Sequence, residues 1–194
     1  MMSPAPSKNP DLKPAGNFQG YAQANTADID EEIARVGPGT PAGEYLRCFW
    51  HPVFMTSELG ELPKAIKIMD EELVLFRYGS DDGIGLVHKY CPHRRASLEY
   101  GKCEDRGIRC CYHGWLFAPD GEILETPAED LGDGPAKQIR ERTRLGAYPV
   151  IEFNGLIFAY MGKPENMPAF PMYDAFEIED MVTRPYEIPY ACNW

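Results

Sequence analysis

Apolar residues along the middle of the chain come in short stretches, alternating with polar ones or continuous, which is the pattern of strands rather than of helices. Ala65–Met69, Leu73–Arg77 and Ile84–His88 are predicted strands, separated by Asp70–Glu72 and by the turn GSDDG at Gly79–Gly83. Ile108–Cys110 and Trp115–Phe117 follow, and the PDG turn at Pro119–Gly121 leads into Glu122–Leu124. Tyr148–Phe153 and Leu156–Tyr160 flank Asn154-Gly155, the strongest short-range hairpin signal in the chain, because both turn residues tolerate positive φ. Many short strands at regular spacing predict an all-β fold, a small antiparallel barrel or sandwich over residues 44–162.

The flanks have a different texture. Residues 1 to about 40 are rich in Pro, Ala, Gly, Asn and Asp, with a short helix expected over Asp28–Val36. Residues 1–43 are therefore read as a loose arm closed by the linker GPGTPAG at Gly37–Gly43. After Gly162 the chain becomes Pro- and Met-rich, and a strand expected over Met181–Ile188 is interrupted by Pro185. The sequence stops at Cys192-Asn193-Trp194 without a turn or a polar tail, so 163–194 is read as a linker and the start of a second, missing domain.

Composition narrows the function classes. The longest apolar run, Leu156–Met161, is far short of the ~20 residues a membrane helix needs, and MMSPAPSKNP has no apolar stretch after its lysine. Cytoplasmic residence is the expectation. The formal net charge of −11 argues against nucleic acid or an anionic membrane as partner. Between Gly85 and Trp115, however, six bases (Lys89, Arg94, Arg95, Lys102, Arg106, Arg109) face three acids (Glu99, Glu104, Asp105), so this segment is +3 and the remainder −14. It forms either a mixed solvated surface or a basic rim that attracts an acidic redox partner.

The same segment holds the chemistry. Three of the six cysteines, Cys103, Cys110 and Cys111, crowd beside a histidine, which suits a metal site better than a disulfide scaffold. Two ligand pairs stand out, Cys91-Pro92-His93 and Cys110-Cys111-Tyr112-His113, with sixteen residues between His93 and Cys110. Two cysteines and two histidines can hold zinc or a Rieske-type [2Fe–2S] cluster, in which one iron takes two thiolates and the other two imidazoles. Zinc fingers tend to pair Cys with Cys and His with His along the sequence, whereas here each loop offers one of each. Of the adjacent cysteines, Cys110 has the Rieske spacing to His113, and Cys111 is expected to be a free thiol packed beneath the loop. Cys91, His93, Cys110 and His113 are the expected ligands.

The stretch from Cys91 to Thr126, carried by CPHRRASLEYG and CCYHGWLF, resembles the Rieske domain of aromatic-ring-hydroxylating oxygenases, particularly the phthalate-oxygenase-like α subunits. A weaker resemblance runs from Tyr45 to Gly162. The Rieske proteins of membrane-bound cytochrome complexes fit less well, since the positions of their disulfide cysteines are Ala96 and Tyr112 here. The resemblance implies a [2Fe–2S] cluster at the tip of a small β domain, charged by a flavin/iron-sulfur reductase or a ferredoxin. It also implies a homotrimer for the full-length protein, and a mononuclear non-haem Fe(II) site in the missing domain, downstream of an Asn-Trp segment like Asn193-Trp194. The expected role of this chain is electron entry into a ring-hydroxylating or demethylating oxygenase. A stand-alone Rieske ferredoxin-like carrier and a zinc-bound structural module are the alternatives.

Seven further residues have readings of their own. Ser97 and Tyr112 are candidate hydrogen-bond donors to the cluster sulfurs, and Ser97 alternatively stabilises its own loop. Trp115 either shields the cluster from water or packs in the core. Gly101 and Gly114 suit tight backbone turns. His51 and His88 are read as structural or surface histidines.

Overall fold

The computed structural model describes residues 30–127, 129, 135–178, 182 and 184–189. The chain divides into two compact units, Met1–Glu31 and Glu32–Trp194, and nearly all described residues belong to the second. Helices α1 (Glu31–Ala34) and α2 (Pro41–Leu46) precede four strands, β1 (Trp50–Met55), β2 (Lys64–Ile68), β3 (Glu71–Tyr78) and β4 (Gly83–His88). Then come β5 (Lys102–Glu104), β6 (Gly107–Arg109), β7 (Leu116–Phe117) and β8 (Ile123–Glu125), helix α3 (Pro135–Arg142), and finally β9 (Ala147–Tyr148), β10 (Val150–Phe153) and β11 (Leu156–Tyr160). All pairing is antiparallel, in three sheets ordered β1-β11-β10, β2-β3-β4-β9 and β5-β6-β7-β8.

Strand β3 explains how the three small sheets are joined. Its run Leu73-Val74-Leu75-Phe76 is buried throughout, and successive side chains point to opposite faces. Leu73 and Leu75 pack with Leu86, Ile157 and Ala159, joining this sheet to the one built on β11. Val74 and Phe76 face the other way, onto Val87, Ile108, Phe117 and Ile123, joining it to the sheet of β5–β8. A strand buried on both faces reads as continuous apolar sequence rather than alternation. The second of these interiors also contains Cys91, Cys110 and Trp115.

Most predicted strands are present within a residue or two, and Asn154 and Gly155 turn the β10–β11 hairpin with φ of 48° and 78°. Three segments differ. Gly37–Gly43 is not wholly a linker. Thr40 caps α2, its side chain accepting from Gly43 N at 3.2 Å, and Pro41 begins the helix. Buried Arg47, just past α2, donates to Val36 O, Met69 O and Glu71 Oε1, which ties this entry segment to β3. Of the helix expected over Asp28–Val36, the structure shows Glu31–Ala34, while Asp28 and Ile29 lie outside the described residues. The described residues of Met181–Ile188 form no strand. Residues 163–176 cover the outer face of the β11 sheet, where Phe170 meets Trp50, Phe153 and Phe158, and Trp50 Nε1 donates to Pro168 O at 3.1 Å. Among the described residues no helix is long and apolar enough to cross a membrane.

Candidate metal centre

Two loops at one end of the β5–β8 sheet carry the four residues singled out from the sequence. The first leaves β4 and is closed by a bridge between Tyr90 and Ser97; the second connects β6 to β7. Their backbones follow the same plan. In the first, Cys91 N donates to Ala96 O at 2.9 Å, and Arg95 N donates to Cys91 O at 2.9 Å. In the second, Cys110 N donates to Trp115 O at 2.8 Å, and Gly114 N donates to Cys110 O at 3.1 Å. Each turn has a left-handed residue four places after its cysteine, Arg95 with φ of 60° and Gly114 with φ of 75°. Glycine adopts that conformation freely, whereas Arg95 is held in it by the closed loop and lies over the Tyr90 ring at 4.8 Å. A third anchor is Arg109, which donates to Gly114 O at 2.7 Å while its guanidinium is gripped by Glu104 and Glu125.

This symmetry sorts the side chains by chemistry. Sequence pairs each cysteine with a histidine, but in space thiol meets thiol and imidazole meets imidazole. Cys91 and Cys110 are buried as neighbours in the same core cluster. Burial pushes the Cys91 thiol up to about 11 and the neighbouring Cys110 adds to this, while backbone N–H groups of His93 and Arg94 pull the other way. Above them the His93 and His113 rings lie 4.6 Å apart, centroid to centroid, at the half-buried rim. Two thiols kept from water and two imidazoles at the surface suit a two-iron group with one iron of each kind, and amides aimed at a sulfur favour the thiolate that such a group needs.

Around the four, several expectations are refined. Trp115 packs in the core, the second of the two readings considered for it, and its ring also stacks on His93 at 4.7 Å with 5° between planes. Ser97 caps the short helical turn Leu98–Tyr100, accepting from Glu99 N, which stabilises its loop and leaves its O–H free to donate. Tyr112 is exposed, its ring 3.8 Å from that of His113. Gly101 has an ordinary negative φ, and a side chain there would collide with Arg109 O and Leu98 O. Cys111 corrects the sequence reading, because its thiol is exposed and not packed beneath the loop. Cys103 is the cysteine packed against the core there. His51 bonds Leu46 O, and His88 bonds Glu71, as structural histidines do. Of the six bases, Lys89, Lys102, Arg106 and Arg109 pair with carboxylates of this same domain. Arg94 and Arg95 stay exposed at the rim. One residue of the site carried no signal in the sequence: Glu129, whose Oε2 accepts from Trp115 Nε1 at 3.0 Å.

Residues 49–139, which contain both loops and the sheet beneath them, match the family model described as "Rieske [2Fe-2S] domain". The chain carries a Rieske domain. It is 47% identical over 171 residues to the tert-butanol monooxygenase / tert-amyl alcohol desaturase oxygenase subunit of Aquincola tertiaricarbonis, a match covering 88% of this chain and 35% of that protein. It is likewise 47% identical over 148 residues to the phenoxybenzoate dioxygenase subunit alpha of Ectopseudomonas oleovorans, covering 76% of this chain and 35% of the relative. Among solved structures, dicamba monooxygenase with non-heme iron and dicamba superposes with a TM-score of 0.58 at 28% identity, over 70% of this chain and 40% of that one. The Rieske domain here therefore belongs with those of oxygenase subunits, and its cofactor is a [2Fe–2S] cluster. The chain spans about a third of the length of the curated relatives it matches.

Proposed function

We propose that this chain is the electron-entry part of a Rieske oxygenase subunit, with Cys91 and Cys110 holding one iron of the cluster and His93 and His113 the other. The observation that carries the ligand assignment is the pair of equivalent loops, which bury the two thiols together and set the two imidazoles together at the rim. When bound, the cluster accepts and passes on one electron at a time. The protein's part is to exclude water from the thiolates, orient the rings and leave the histidine edge open to a partner. Two imidazoles in place of two thiolates lower the negative charge of the site and raise its potential above that of plant-type ferredoxins.

The reductant is proposed to be a flavin/iron-sulfur reductase or a ferredoxin, with the electron passing on toward a mononuclear iron in a domain beyond this sequence. A trimer of the full-length protein and residence in the cytoplasm belong to the same reading. So does the division into an N-terminal arm, a Rieske domain over 44–162 and a following linker into the catalytic domain.

The test is anaerobic purification, dithionite reduction and EPR, with iron and acid-labile sulfide analysis. Two irons and two sulfides per chain with a Rieske-type signal are expected, and both are lost in Cys91→Ser and His113→Ala, while Cys111→Ser retains them. A silent spectrum with one zinc per chain would make the domain a structural module.

A further inference from the structure

The two imidazoles of the site are not equivalent. Among the described residues a carboxylate reaches His93 and none comes within 4 Å of His113. It belongs to Glu129, whose two oxygens have separate tasks. Oε2 accepts from Trp115 Nε1 at 3.0 Å, and Oε1 lies 3.8 Å from His93 Nε2. Because the Trp115 ring also stacks on the His93 ring, indole, imidazole and carboxylate form a closed triangle of one hydrogen bond, one ring stack and one longer charge contact.

The triangle is anchored from beneath. Glu129 N donates to Thr126 O at 2.9 Å, and Thr126 is wholly buried. The Thr126 hydroxyl in turn accepts from Arg140 of α3 at 3.0 Å. The carboxylate is thus built in from the turn after β8. Only 22% of the Glu129 and His93 side chains is exposed, so water screens the pair less than it would on an open surface.

We propose that Glu129 is a positioning residue that fixes the His93 ring and lowers the reduction potential of the cluster. This rests on the reading of His93 as a ligand. A negative charge beside the ligand opposes the arrival of an electron. A carboxylate at Nε2 also leaves Nδ1 as the nitrogen free to donate to iron, which favours the oxidised state. Both effects act in the same direction, and His113 receives neither.

The experiment is a redox titration, at one fixed pH, of the full chain purified anaerobically as wild type, Glu129→Gln, Glu129→Asp and Trp115→Phe, each first analysed for iron and sulfide. Glu129→Gln keeps an acceptor for Trp115 but removes the charge. It is expected to load fully and to titrate higher, by on the order of a tenfold change in the reduction equilibrium, or ~59 mV for a one-electron couple. Glu129→Asp keeps the charge and stays closer to wild type than Glu129→Gln. Trp115→Phe keeps the stacked ring but loses the N–H that aims the carboxylate, and moves part of the way upward. A fully loaded Glu129→Gln at or below the wild-type potential would overturn the proposal. So would an unmoved Trp115→Phe, which keeps the test decisive if Glu129→Gln fails to retain the cluster. A wild-type chain without iron and sulfide would overturn the ligand assignment itself, and the metal analysis reports that before any potential is read.

Discussion

Glu71 shows how one buried side chain can set the acid limit of the whole domain. Its carboxylate, 11% exposed, accepts from Arg47, His88 and Tyr148. Burial alone would push its carboxyl up, yet the hydrogen bonds of His88, Arg47 and Tyr148 and the Arg47 charge together hold it at about 2, against an ordinary 4.5. A carboxylate whose pKa is lower folded than unfolded stabilises the fold above its unfolded value, and that contribution disappears as pH falls from about 5 toward 2. It amounts to ~3 kcal/mol, by the ~1.4 kcal/mol that each pH unit represents. Glu71→Gln is therefore expected to lower the thermal midpoint at pH 7 and to flatten the decline of stability between pH 5 and 3, both measurable by denaturation at a series of pH values. At this scale the sequence singled out Cys91, His93, Cys110 and His113, the proposed ligands, because ligand chemistry restricts residue type and spacing together. Glu129 was silent, since a carboxylate in a polar turn looks the same whether it faces water or an indole. The position of Cys111 was also hidden, because which way a side chain leaves a tight turn depends on backbone angles that spacing alone does not specify.

Elements were legible where pattern and pairing agree. The strands of the β2–β4 meander and the Asn154-Gly155 hairpin could be read directly, because apolar runs and turn residues mark both ends of each. Strand β5 and helix α3 could not. A three-residue strand carries too few positions to show a period, and α3 is polar along most of its length, with Ile139 packed on the core. Gly37–Gly43 was misread because Gly and Pro punctuate helix ends as well as linkers, and here Thr40-Pro41 is a helix start. The second cluster loop depends on a close approach that only glycine permits. Gly107 opens β6 with φ of 145°, and a Cβ on it would stand 1.9 Å from the carbonyl oxygen of Phe117 in β7. Gly107→Ala should cost about 3 kcal/mol or more, since neither backbone can yield. Gly39→Ala, also at positive φ but with open space around it, should cost only about 1 kcal/mol. Equal losses in chemical denaturation of the two variants would show that backbone conformation, and not the approach of β7, decides the matter.

For the molecule as a whole, a count of histidines bounds the chemistry. The sequence has four, of which His51 and His88 are engaged with Leu46 O and Glu71, and the other two are the proposed cluster ligands. A mononuclear iron of the two-histidine, one-carboxylate kind needs two histidines side by side, whereas His51 and His88 stand on β1 and β4, strands of different sheets. The purified 194-residue protein is accordingly expected to take up one electron per cluster from a reductase and to release no oxygenated product from any aromatic substrate. Product formed without an added subunit would overturn that expectation. The paired charges around the site have a bearing on encounter as well. Four of the six bases of the cluster segment are neutralised by this domain's own carboxylates, so an acidic partner, were one used, would meet mainly Arg94 and Arg95 in the first loop.

The outward-facing thiol of Cys111 separates wear from function. Cys91 and Cys110 are sealed from solvent, whereas the sulfur next along the chain from Cys110 is open to peroxide and to the thiols of other molecules. Damage in air should therefore begin at the exposed thiols, Cys48 and, one residue away from Cys110, Cys111, as sulfenic acid or a cross-link, and the age of a preparation would be written there before its colour fades.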